Sequence, residues 1–115
     1  MLVDIDFGTY EQMVEFLAMR DGKPLPFDDA MSMGGLGITG EAGEVADMIK
    51  KYMFHDANLK NEELLKELGD VTWYVTLLAQ TLGSSLNEVL QINYNKLQKR
   101  YPNGFSKEAS ENRSE

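Results

Sequence analysis

The sequence predicts an all-α protein: an antiparallel bundle of about four helices that assembles into an oligomer. Three observations predict the helical bundle. Apolar residues recur at intervals of three and four, as they do along one face of a helix. No stretch keeps the every-second-residue alternation of a half-buried strand. Short segments carrying Gly, Pro or Asn divide the periodic stretches, so successive helices should fold back on one another.

The first helix is expected over about Thr9 to Met19, with Thr9 as N-cap and Met13, Phe16 and Leu17 on its apolar face. Gly22, Pro24 and Pro26 then make a loop. The second helix begins near Phe27–Ala30 and ends near Phe54. Gly34, Gly35, Gly37 and Gly40 fall inside it and predict a weak, kinked or broken N-terminal half. HDANLKN reads as a turn. The third helix runs from Asn61, read as its N-cap, to about Leu82, where Gly83 stops it. Ser84 or Ser85 caps the fourth, which runs to about Lys99 and ends at Pro102, Asn103 and Gly104. Residues 1–105 read as one domain. Residues 106–115 are polar and expected to be disordered.

The chain has 115 residues, suited to one domain, and is 43% hydrophobic and 26% charged. No apolar run is long enough to span a bilayer. The start lacks the basic and apolar regions of a signal peptide. With no cysteine, disulfides, zinc–thiolate sites and thiol catalysis are excluded, and a reducing, cytoplasmic setting is expected. The net charge of −8 argues against nucleic acid as a partner, because the phosphate backbone calls for basic residues. A phosphorylated small molecule would need cations between it and the acids.

Two segments repeat one pattern: Glu41-Ala42-Gly43-Glu44-Val45 and Glu67-Leu68-Gly69-Asp70-Val71. On helices, each acidic pair is three residues apart and lies beside an apolar stripe. The stripe is Ile38, Ala42, Val45, Ile49 and Tyr52 in the second helix. In the third it is Leu64, Leu68, Val71, Val75, Leu78 and Leu82. If the two helices pack antiparallel at matching depth, four carboxylates converge. Such a group is unstable unless a cation enters or pKa values rise. Oxygen ligands alone select Mg²⁺, Mn²⁺ or Ca²⁺. None of the four acids has a lysine or arginine four residues on. Against this, many such pairs are simply solvated helix faces. The single histidine, His55, cannot build a ferritin-like di-iron site, which needs Glu-x-x-His on two helices.

Glu41-x-x-Glu44 followed by Glu67-x-x-Asp70, with the close NYNKLQKRYPNGFS, resembles the MazG-like all-α nucleoside triphosphate pyrophosphohydrolases. That superfamily is related to dimeric dUTPases, dCTP pyrophosphatases and phosphoribosyl-ATP pyrophosphohydrolases. The resemblance covers about Leu36 to Phe105. Gly40 stands where some members carry a further acid, so the number of metal ions is left open. The resemblance implies a Mg²⁺-dependent enzyme, with Mn²⁺ as a possible substitute. It would cleave a nucleoside triphosphate between the α and β phosphates, giving the monophosphate and pyrophosphate. It implies Glu41, Glu44, Glu67 and Asp70 as metal ligands, with a carboxylate of the second helix, Glu41 or Glu44, acting on water. It also implies a homodimer or homotetramer.

Asn93, Lys96 and Arg100 share one face of the fourth helix. In this resemblance they reach phosphates; otherwise Arg100 complements the helix dipole. Tyr74 follows Asp70 by four, and Lys51 follows Glu44 by seven. Each is read either as a substrate contact or as an ordinary packing or surface residue. Two alternatives stand beside the enzyme: a non-enzymatic helical oligomerisation module, and the same fold acting on phosphoribosyl-ATP or an alarmone.

Overall fold

The computed structural model describes residues 2–111. It contains five helices: α1 (Phe7–Leu17), α2 (Phe27–Phe54), α3 (Asn61–Thr81), α4 (Leu86–Arg100) and the short α5 (Lys107–Glu111). Among the described residues there is no strand, only an isolated bridge between Arg20 and Lys23. It closes a tight turn whose central residues, Asp21 and Gly22, both have positive φ.

The helix ends follow local chemistry. Asp6, not Thr9, caps α1, and its Oδ1 accepts from the Thr9 N–H at 2.7 Å. Asn61 is the first residue of α3 rather than its cap; Lys60 holds the cap position and makes no side-chain bond. Gly83, at φ 76°, closes α3. The Gly83 and Ser84 N–H groups donate back to the carbonyls of Gln80 and Ala79 at 3.0 and 2.8 Å. Ser85 caps α4 through the Glu88 N–H at 3.1 Å. Part of the segment expected to be disordered forms α5, capped by Ser106 accepting from Ala109 N–H at 3.0 Å. Residues 112–115 lie outside the described residues.

α2 runs unbroken through its glycines for 28 residues, contrary to the expected kink or break. The reason is packing. A Cβ on Gly34 would run into the Leu78 side chain, and one on Gly37 into the Tyr74 ring. These glycines let α2 and α3 approach closely, and that contact outweighs their poor helix propensity. The pairs Gly34–Leu78, Gly37–Tyr74 and Glu41–Glu67 also establish that the helices are antiparallel.

The seam is rotated from the one expected. It takes in Gly34, Gly37 and Glu41, while Ala42, Ile49 and Tyr52 of the expected stripe are exposed. In α3, Leu68 and Leu82 are likewise exposed and Glu67 is half-buried. In α1 the buried residue is Val14; Met13, Phe16 and Leu17 point outward. Gln80 Nε2 donates to the Glu11 carbonyl at 2.8 Å, and Glu11 Oε1 accepts from the Asn87 N–H at 3.1 Å. These bonds tie α1 to α3 and to the start of α4.

The shape is extended. The Cα radius of gyration is 17.2 Å, against about 13 Å for a compact domain of this length. The accessible surface is 8895 Å², against about 6,300 Å² for a compact monomer of this mass.

Candidate metal centre

Halfway along the α2–α3 seam, Glu41, Glu67 and Asp70 bring one carboxylate oxygen each to within 4.8 Å of one another. The antiparallel pairing supplies the matching depth that the spacing alone left open. Glu41 and Glu67 are half-buried and Asp70 is exposed. Glu67 and Glu41 are close enough to share a proton. That hydrogen bond, with desolvation and the charges of Glu41, Asp70 and Glu63, holds the Glu67 carboxyl above its usual range. The cluster is therefore short of positive charge. Its donors are all carboxylate oxygens, suiting a hard divalent cation such as Mg²⁺ or Mn²⁺. Gly43 and Gly69, between the paired acids, face open space; a Cβ at either would meet nothing within 4 Å.

Glu44 is not in this group. It is exposed, and three residues from Glu41 it sits about 60° away around α2. Tyr74, one turn beyond Asp70, packs on Gly37 and meets Trp73 edge-on with ring centroids 5.1 Å apart. Lys51 pairs with Asp47 on its own helix at 2.7 Å; that bond raises the Lys51 pKa and lowers that of Asp47. Asn93 is exposed, while Lys96 and Arg100 are half-buried, all on α4, which forms no extensive pairing with α2. The Arg100 guanidinium lies 5.8 Å from the Tyr101 ring centroid. His55 caps the C-terminus of α2.

Tyr10 of α1 also borders the site, and no motif in the sequence signals it. Burial first, then the charge of Asp70, raises its phenol pKa. It lines a cavity of about 210 Å³ with Ile5, Asp6, Phe7, Thr72 and Leu86. A larger cavity of about 550 Å³ lies between α1, the Pro24–Phe27 loop and the end of α3, and includes none of the clustered acids.

No helix among the described residues is long and apolar enough to cross a membrane. The chain is 39% identical over 89 residues to the Gene 37 protein of Mycobacterium phage L5, covering 74% of this chain and 78% of that protein. No solved structure matches it. Residues 34–105, which include both acidic pairs and the end of α4, match the family described as the MazG nucleotide pyrophosphohydrolase domain. The chain belongs to the MazG nucleotide pyrophosphohydrolase domain family.

Proposed function

We propose that the protein is a Mg²⁺-dependent nucleotide pyrophosphohydrolase. It cleaves a (d)NTP between the α and β phosphates, releasing the monophosphate and pyrophosphate. The observation that carries this reading is the convergence of Glu41, Glu67 and Asp70, whose crowding holds the Glu67 carboxyl above its usual range. Family membership supports the reaction class.

Glu41, Glu67 and Asp70 would hold Mg²⁺, for which Mn²⁺ can substitute, and Glu44 is available as a further ligand. When bound, the metal offsets phosphate charge and makes water more acidic. Glu44 takes the proton of the attacking water: it is exposed and its oxygens are not committed to the three-acid group. Glu41, half-buried on the seam, would orient that water. Tyr74 positions the sugar or a phosphate, its ring steadied by Gly37 and Trp73. Asn93, Lys96 and Arg100 bind phosphate oxygens. Lys51 would have to leave Asp47 to join them, which costs little because the ion pair is exposed to solvent.

The test is a panel of nucleoside triphosphates with Mg²⁺, read as pyrophosphate release, for the wild type and Glu41→Gln. Release by the wild type and its loss in the folded variant support the reading. A wild type inert toward every nucleotide overturns it.

A further inference from the structure

The cavity of about 550 Å³ between α1, the Pro24–Phe27 loop and the end of α3 stands apart from the carboxylate cluster. Thr81, on its wall, lies eleven residues beyond Asp70, about 17 Å along α3. Phe27, on the opposite wall, lies fourteen residues before Glu41, about 21 Å along α2. The proposed reaction makes no use of this space, yet its volume is that of a small-molecule site.

The walls have a defined chemistry. Ala30 and Leu77, both buried, join Met19, Leu25 and Phe27 in an apolar lining. The polar side chains have spent most of their hydrogens inside the protein. Thr81 Oγ1 donates to the Leu77 carbonyl at 2.7 Å. The Ser84 hydroxyl donates to Glu88 Oε1, and Gln80 gives one Nε2 hydrogen to the Glu11 carbonyl at 2.8 Å. Apart from the second amide hydrogen of Gln80, these side chains offer a ligand only acceptor oxygens. Glu15 adds an exposed carboxylate that has no ion-pair partner among the described residues. No lysine, arginine or histidine lines the cavity.

These features select a ligand by its charge. An anion would face Glu15 in a chain of net charge −8, with no base in the lining to offset them. A neutral apolar molecule would fill the cavity but leave the Glu15 carboxylate without a counter-charge. An organic ammonium ion matches both parts of the wall. Its hydrogens serve the acceptor oxygens, its body displaces water from Leu77, and the Phe27 ring attracts its charge. We propose that the cavity is a second binding site, taking a small ammonium ion with an apolar body, for which Glu15 is the counter-charge. The proposal is independent of the metal-site reading.

Three indoles of one shape test it: tryptamine, a cation; indole-3-ethanol, neutral; and indole-3-acetate, an anion. In calorimetry at neutral pH, tryptamine should bind about fivefold tighter than indole-3-ethanol, the upper end for a solvent-exposed charge pair. Indole-3-acetate should bind most weakly. Glu15→Gln should bring tryptamine down to the level of indole-3-ethanol and leave indole-3-ethanol unchanged. Ala18→Phe, which places a ring in the cavity, should abolish binding of both. In the ¹⁵N-labelled chain, tryptamine should shift the amides of Ala30, Leu77 and Thr81 and leave those of Glu41 and Asp70 in place. Tryptamine binding no tighter than the neutral probe, no binding by any of the three, or tryptamine affinity unchanged in Glu15→Gln overturns the proposal. Shifts centred on Glu41 and Asp70 overturn it too. So does displacement of tryptamine by Mg²⁺ with any nucleoside triphosphate, because the cavity would then belong to the nucleotide site.

Discussion

Replacing Gly37 with alanine should destabilise the protein, although alanine is the better helix former. On an open helix face the change gains about 1 kcal/mol. At Gly37 the new methyl enters the Tyr74 ring, which is itself held against Trp73. Overpacking of that kind costs about 1–3 kcal/mol. It requires either ring displacement or separation of α2 from α3, so the net loss should reach up to about 2 kcal/mol. Gly35, two residues away on the same helix, has nothing within 4 Å of a built Cβ. Gly35→Ala should therefore stabilise by about 0.5–1 kcal/mol. Urea denaturation at one fixed protein concentration reads both as midpoint shifts at constant slope. In a Tyr74→Ala background the penalty of Gly37→Ala should shrink, giving a coupling energy of about 1 kcal/mol or more. If Gly37→Ala and Gly35→Ala stabilise equally, the seam does not run through Gly37 and the depth of the acidic cluster is wrong.

Further outcomes follow from the same geometry. Because the folded state raises the Glu67 pKa, its proton stabilises metal-free protein below the ordinary carboxylate range, and that contribution is lost as pH rises through the raised value. Glu67→Gln should remove this pH dependence in thermal melts without metal and should also remove the stabilisation by Mg²⁺. For the wild type, Mg²⁺ at a hundred times its Kd should add about 2.7 kcal/mol. That gain should fade as pH drops and protons compete for Glu67. Glu44→Gln should lose turnover yet keep most Mn²⁺ affinity by calorimetry, since Glu44 lies outside the three-acid group. Ser85→Ala should cost about 1 kcal/mol in chemical denaturation through loss of the α4 cap.

The helices were legible because punctuation is local. Gly83 and the Pro102–Gly104 turn act through their own backbone and Ser85 through a hydroxyl that reaches only three residues on, and the structure puts helix ends where they fall. The seam was less legible because it is built from residues that periodicity does not count. Gly34 and Gly37 read as helix weakeners until Leu78 and Tyr74 are seen against them. Glu41 and Glu67 read as shoulder residues, although they sit in the interface itself. The phase error follows from counting only apolar side chains. Met13, Phe16 and Leu17 misled in the opposite sense: their hydrophobicity is real, but this chain alone does not bury them. Of the acids, the spacing singled out Glu41, Glu44, Glu67 and Asp70 alike; that Glu44 lies outside the three-acid group depends on helix rotation. Tyr10 joins through tertiary packing alone and left no mark in the sequence.

The most direct test of the central claim is product identity. Phosphorus NMR of a reaction with Mg²⁺ and a turned-over nucleoside triphosphate separates the two possible cuts. Cleavage at the α–β bond by the three-acid site predicts monophosphate and pyrophosphate in equal amounts, abolished in Glu67→Gln. Diphosphate with inorganic phosphate, or unchanged products from Glu67→Gln, would contradict it.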